Sequence, residues 1–446
     1  MKRSSALLLL MLLLPGFLSS GCRLFLRLPD EITDARLREL HGLGEIPEDE
    51  TWWQTRDRRL EEQEKLLFRF PLEERWSQPF DDSRALTGAP LPAGRSLYLT
   101  VPAEGLVRLN AEDGIPVWTF ATLPGETCGP LAAAGDLLVF ATDAGRVTAV
   151  SPDDGPRVAW EVMLDETGPG RPTADGGAIY LPTAGGTVSA LEARDGGLRW
   201  RHRTGEPMVA APLADRERNR VYCVSLNGTV LALDAESGVA AWRYDTGSPI
   251  RGQPLLAGER LYVGCDDGRF HCLEAENGET RWIKPTGAAI RTPAAADGKL
   301  VIFGSWDGFL YALDQRSGRT RWKAELPNRI DLPPVCIDGL VLLACVRSPE
   351  LRALDIEDGR SAGSFKLEHL DAWFTTMPRL SEERQLFAGT SRGKLLALAE
   401  VIEEEMTEEE ASRARFEELL GRRRQQGAGT GNTTAGGGAP GGQRRR

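Results

Sequence analysis

From Leu261 to Trp282 the chain switches between apolar and polar positions with a two-residue beat broken by turns. Leu261 to Cys265 is a short β-prone run, and Asp267-Gly268 interrupts it. Glycine there suits a tight hairpin, because the turn needs positive φ. Phe270 to Glu274 alternates apolar and polar side chains, as a half-buried strand does. Asn277-Gly278 makes a second turn, and Thr280 to Ile283 forms another strand that carries Trp282. Upstream, Pro254 to Ala257 followed by Gly258-Glu259 supplies one more strand and turn. The pattern predicts a four-stranded antiparallel meander.

The same phrase recurs. Its closing tryptophans stand at 118, 160, 200, 242, 282 and 322, at steps of 42, 40, 42, 40 and 40 residues. A fixed period of this size marks a repeat architecture. One such sheet has two apolar faces, and radial stacking buries both, which predicts a β-propeller. Second strands begin near Leu97, Leu137, Ile179, Val221, Leu261, Val301, Val341 and Leu386, which predicts eight blades. Phe365 is expected to take the seventh tryptophan place. The last unit lacks a fourth strand, whereas Glu74-Arg75-Trp76 precedes the first unit. That N-terminal strand is expected to complete blade eight and close the ring, leaving no open sheet edge at the seam. The fold class is therefore all-β, an eight-bladed propeller over 72–402.

The motifs LYVGCDDG, LYALD, DAESG and GRTRW resemble the pyrroloquinoline-quinone-type propeller repeat, over roughly 72–400. Propellers of the WD type share the period, but here the repeated Trp is not followed by Asp, and Trp306-Asp307 is an isolated pair.

The flanks have another character. Lys2 and Arg3 followed by the apolar run Ala6 to Leu14 have the proportions of a secretory signal over 1–21 and are too short to span a bilayer. Leu18-Ser19-Ser20-Gly21-Cys22 resembles a bacterial lipobox, with Ser19 where Leu is usual. The resemblance implies lipidation of Cys22; the alternative is an ordinary cleaved signal. Arg23 rather than Asp after the cysteine implies, by the same resemblance, the periplasmic face of the outer membrane. Residues 22–71 read as a charged, helix-prone, lipid-anchored segment, with Asp34 to Leu43 and Thr51 to Leu67 as helices. Residues 403–426 read as a charged helix whose acidic start and arginine-rich end suit its dipole. Residues 427–446 read as a disordered Gly/Arg tail.

Composition narrows the function. The chain has 446 residues, a net charge of −11 and a pI of about 5.2, which disfavours nucleic acid as a partner. Cys128, Cys223, Cys265, Cys272, Cys336 and Cys345 do not have zinc spacing, and disulfides or buried thiols both suit them. The histidines at 41, 202, 271 and 369 are scattered. Gly389-Thr390-Ser391-Arg392-Gly393 has nucleophile-elbow spacing, but it aligns with a hairpin turn of the repeat rather than a strand-to-helix turn. Quinoprotein dehydrogenases use the same propeller, yet the adjacent Cys-Cys that resemblance would require does not occur in the sequence. The expectation is no enzyme, no cofactor and no metal.

What remains is a binding surface. Arg251, Arg291, Arg329 and Asp331 each precede the proline of an inner strand, on the face that also carries the turns between second and third strands. Trp373 falls at the equivalent place in the last blade, and Trp306 lies in a turn. Arg and Trp are enriched at interface hot spots. A lipid anchor, a closed eight-bladed ring and no catalytic constellation together resemble the scaffold lipoproteins of outer-membrane β-barrel assembly. The resemblance implies partners among the periplasmic domains of an assembly protein or another envelope protein. The alternative is a quinone-dependent dehydrogenase or a small-ligand-binding propeller.

Overall fold

The computed structural model describes residues 71–400, apart from short stretches at 81–84, 87, 103, 124–128, 153–154, 368–371, 378 and 382–383. The expected signal, Cys22, both flanking helical segments and the C-terminal tail lie outside the described residues. So do Trp52-Trp53, Cys128, His41 and His369.

The described strands form eight four-stranded antiparallel sheets. In blade 5 the strands are Leu255–Ala257, Arg260–Gly264, Arg269–Glu274 and Thr280–Pro285. The register places Leu255 opposite Tyr262, Tyr262 opposite Cys272 and Cys272 opposite Trp282. These four side chains share one side of the sheet, as the period of two requires. Second and third strands are buried almost throughout, whereas the fourth alternates exposed and half-buried positions. The core therefore lies between blades, in slabs such as Tyr222, Val224 and Ile250 against Leu261, Val263 and Leu273.

Ring closure follows the expected route. Blade 8 consists of Arg379–Leu380, Leu386–Gly389 and Lys394–Glu400, completed by Leu72–Pro79 from the other end of the propeller. Trp76 lies opposite Ala397, and Leu72 opposite Glu400, with a bulge between Glu74 and Trp76.

The repeated tryptophan joins each blade to the next. Trp76, Trp160, Trp200, Trp242, Trp282 and Trp322 donate Nε1–H to the carbonyls of Ala111, Ala193, Ala235, Ala275, Gln315 and Ile356, at 2.8–3.1 Å. Each ring covers the glycine of the following blade's last turn: a Cβ added at Gly359 would come within 2.5 Å of the Trp322 ring. The glycine also supplies positive φ there (73° at Gly359), so it serves both the turn and the ring.

Two seams depart from this rule. Trp118 has a buried Nε1 without a hydrogen-bond partner among the described residues, and Gly155 has no ring against it. The blade 2 turn explains this: Gly155 stands five residues before Trp160, whereas Gly196 stands four before Trp200. With the added residue, Gly155 takes a φ of 112° instead of the usual value near 70°. The second departure corrects an expectation. The tryptophan place in blade 7 belongs to Gly363, opposite Ala353, and Phe365 sits two residues on, opposite Leu351. The physical reason is the seam itself. Blade 8 draws its third and fourth strands from distant parts of the chain. It has no turn between them, so a blade 7 indole would have no glycine to cover.

Candidate functional site

Loops from each fourth strand to the next first strand share a face with the turns between second and third strands. Buried isoleucines anchor three of these loops: Ile250, Ile290 and Ile330 are at most 1% exposed. Their fit depends on glycine opposite, since a Cβ at Gly264 or Gly304 would collide with Ile290 or Ile330. Main-chain bonds tie the loops to the turns. Ile290 donates to Cys265 at 2.9 Å, Trp306 to Ala289 at 2.9 Å and Asp266 to Pro249 at 2.9 Å. The side chains flanking each isoleucine are thereby held on the surface in fixed positions.

Five of the six expected residues meet there. Arg251 donates to Asp266 at 2.9 Å, and Arg291 donates to the same carboxylate at 2.7 and 3.2 Å. The Arg291 guanidinium lies 3.8 Å from the centre of the Trp306 ring, and that of Arg329 lies 4.3 Å from it. The Trp306 indole donates to Asp331, and Arg329 pairs with Asp331 at 3.5 Å. The result is one chain of contacts across blades 5, 6 and 7. Three guanidiniums face two carboxylates, which leaves one net positive charge. Exposed cation–π contacts contribute about 0.5–1 kcal/mol each, so this cluster orders a surface more than it stabilises a fold.

Trp373 stands apart. Its backbone bonds to Ser391, accepting at 2.9 Å and donating at 3.2 Å, and no described contact joins its ring to the cluster. Asp266 is the member that the sequence reading missed. It occupies the turn place that Trp306 holds one blade later, so aligning Cys265-Asp266-Asp267-Gly268 with Ser305-Trp306-Asp307-Gly308 would have found it. The elbow-like run at 389–393 is a hairpin turn between two strands of blade 8.

Titratable groups elsewhere serve the fold. Glu166 accepts from Thr183 and from Thr187, the latter at 2.6 Å, and these bonds hold its carboxyl below the usual range. Burial draws Glu206 upward, but bonds from Ser225, Thr229 and Arg243 leave it below the usual range as well. The five described cysteines are free, and burial pushes the thiols of Cys223, Cys265, Cys272 and Cys336 up to about 12. Among the described residues no three His, Cys, Asp or Glu side chains converge to hold a metal ion.

Eight four-stranded blades locked by recurring indoles define the chain as a propeller of the pyrroloquinoline-quinone-like repeat class. The family model of the outer membrane protein assembly factor BamB matches residues 72–164, 156–293 and 283–400. The chain belongs to that family. BamB from Moraxella catarrhalis is similar at 18% identity and a TM-score of 0.63, covering 74% of this chain and all of that one. Quinohemoprotein alcohol dehydrogenase ADHIIG from Pseudomonas putida HK5 has 14% identity and a TM-score of 0.63, over 74% of this chain and 76% of that one. Sqt1 of Saccharomyces cerevisiae has 14% identity and a TM-score of 0.62, over 74% and 100%. At these identities the likeness is one of fold. No curated protein matches the chain.

Proposed function

We propose that this protein is a non-enzymatic scaffold that binds periplasmic domains of an outer-membrane assembly protein, held at the outer membrane through lipidated Cys22. One observation carries the reading: Arg251, Arg291, Arg329, Trp306 and Asp331 form a preassembled patch on one face of a rigid ring. Preassembly lowers the ordering cost of association, and exposed Arg and Trp are the residue types that dominate interfaces. Membership of the BamB family supports the class of partner.

The test is capture from detergent-solubilised envelopes with the full chain and with the Trp306→Ala/Arg329→Glu variant. The unaltered chain is expected to retain a large β-barrel assembly protein, and the variant to lose it by about tenfold or more. Equal capture by both, or capture by neither, would overturn the proposal.

A second reading is a quinone-dependent dehydrogenase or small-ligand propeller, favoured by the equal fold likeness to ADHIIG. Its test is direct: quinone plus calcium added to the purified chain, followed by spectra and alcohol oxidation.

A further inference from the structure

On the face opposite the arginine–tryptophan patch, a cleft of about 580 Å³ opens between blades 2 and 3. Its apolar lining is small: Ala133, Ala134, Ala174, Ala178 and Ala193, with Leu137. The other seams show why it is there. In blade 4, Tyr222 points into the seam and donates its hydroxyl to the Ala275 carbonyl at 3.0 Å. That carbonyl also accepts Trp242 Nε1–H at 3.0 Å. In blade 5, Tyr262 and Trp282 converge on the Gln315 carbonyl in the same way, at 3.3 and 3.1 Å.

Blade 2 breaks the pattern. Val139 lies opposite Ala132 and Ala149, the register place that Tyr222 holds opposite Leu213 and Ala232. Valine lacks the ring and the hydroxyl. The Ala193 carbonyl accepts Trp160 Nε1–H at 2.8 Å but receives no tyrosine. The facing wall is smaller too, with Ala174 where blade 5 presents Leu256. Blades 6 and 7 also lack tyrosine, but Ile302 and Leu342 are larger than valine and lie fully buried in their seams. At the cleft mouth, Arg216 of blade 4 pairs with Asp175 of blade 3.

We propose that this cleft is a binding site for a phenolic ring, which enters where tyrosine stands in the neighbouring seams. The ring packs against the alanine methyls, and its hydroxyl donates to the second lone pair of the Ala193 carbonyl. Asp136, Asp175, Glu192, Arg194 and Arg216 also line the cleft, so the ring packs on the alanine methyls while the carbonyl fixes its orientation. The ring belongs either to a free phenol or to a tyrosine of a bound peptide, and the chemistry is the same.

The test uses the full chain with ¹³C-labelled alanine methyls, titrated with p-cresol, toluene and an acetyl-Gly-Tyr-Gly amide peptide. p-Cresol is expected to shift the methyls of Ala134, Ala174 and Ala193. Toluene should bind about tenfold more weakly, the discrimination that one hydrogen bond supplies. Val139→Tyr should place a ring and hydroxyl of its own against the Ala193 carbonyl and abolish the shifts. Should that variant not fold, Ala174→Leu blocks the opposite wall and should do the same. A stronger response to the peptide than to p-cresol assigns the ring to a partner's tyrosine; the reverse assigns it to a small phenol. Equal binding of toluene and p-cresol, shifts that survive Val139→Tyr or Ala174→Leu, or methyls that do not move at millimolar p-cresol would overturn the proposal.

Discussion

The Trp322 ring of blade 6 lies on Gly359 of blade 7, while its indole nitrogen donates to the Ile356 carbonyl at 2.8 Å. One residue thus fills a seam, ends a donor's need for a partner and requires glycine in the next blade. The contact repeats around most of the ring, so its energetics set those of the fold.

Trp322→Ala is expected to cost about 3–5 kcal/mol, the usual range for deleting a packed indole. Gly359→Ala should cost about 1–3 kcal/mol, because its Cβ meets the ring and its φ is positive. Trp118→Ala should cost less than Trp322→Ala by about 1 kcal/mol, the worth of the hydrogen bond that Trp118 does not make. Urea unfolding of the three variants ranks them, and an equal loss for Trp118 and Trp322 would contradict the account of the seams.

Removing residues 1–80 takes away the fourth strand of blade 8 and bares the edge of Lys394–Glu400. Unpaired edges recruit other chains. The shortened chain is expected to run as oligomers on size exclusion, and a peptide spanning 72–80 added in trans should return it to monomer. A shortened chain that stays monomeric with unchanged melting would show that the strand does not close the ring.

Acid should weaken the fold through His271. The side chain is 2% exposed, its Nδ1 faces the Tyr244 hydroxyl at 3.2 Å, and its Nε2 has no partner among the described residues. Burial holds its pKa below the ordinary 6.5, with Asp267 opposing and Arg269 reinforcing the shift. The unfolded chain therefore binds this proton more readily than the folded one. Stability is fully present above about 6.5 and falls as pH drops from there towards the lowered folded value. Urea midpoints at pH 7.5 and 5.5 should differ, and His271→Gln should reduce the difference.

The described thiols should react slowly or not at all in the folded chain. Cys223, Cys265, Cys272 and Cys345 are buried, whereas Cys336 is half-buried. Thiolate is the reactive form, and burial suppresses it. Ellman's reagent is expected to label none of these four before unfolding and Cys336 only slowly. Rapid labelling of Cys265 would show that the blade 5 turn opens in solution.

Much of this was legible in the chain because it depends on local chemistry repeated many times. Gly268 and Gly278 mark their turns, and Trp76 announced the closing strand through its spacing from Trp118. The tryptophan place of blade 7 was misjudged because an aromatic at 365 satisfied the count, while the reason for its loss is a missing turn in blade 8. That these side chains share one face was legible because proline marks each inner strand and fixes which side chains lie just before it. Asp266 escaped notice because its role depends on reaching both Arg251 and Arg291, a relation between two loops. Trp373 matched by position, but its neighbours differ. The cleft beside Ala193 left the faintest trace, a valine among tyrosines, which gains meaning only when two blades face each other.

Leu72 pairs with Glu400, so the beginning of the propeller waits for its end. During synthesis this strand has no mate until nearly all of the propeller has followed. A chain cut short before residue 394 never fastens the clasp. The seam thus inspects the molecule for completeness, and only a finished copy passes as a sealed disc.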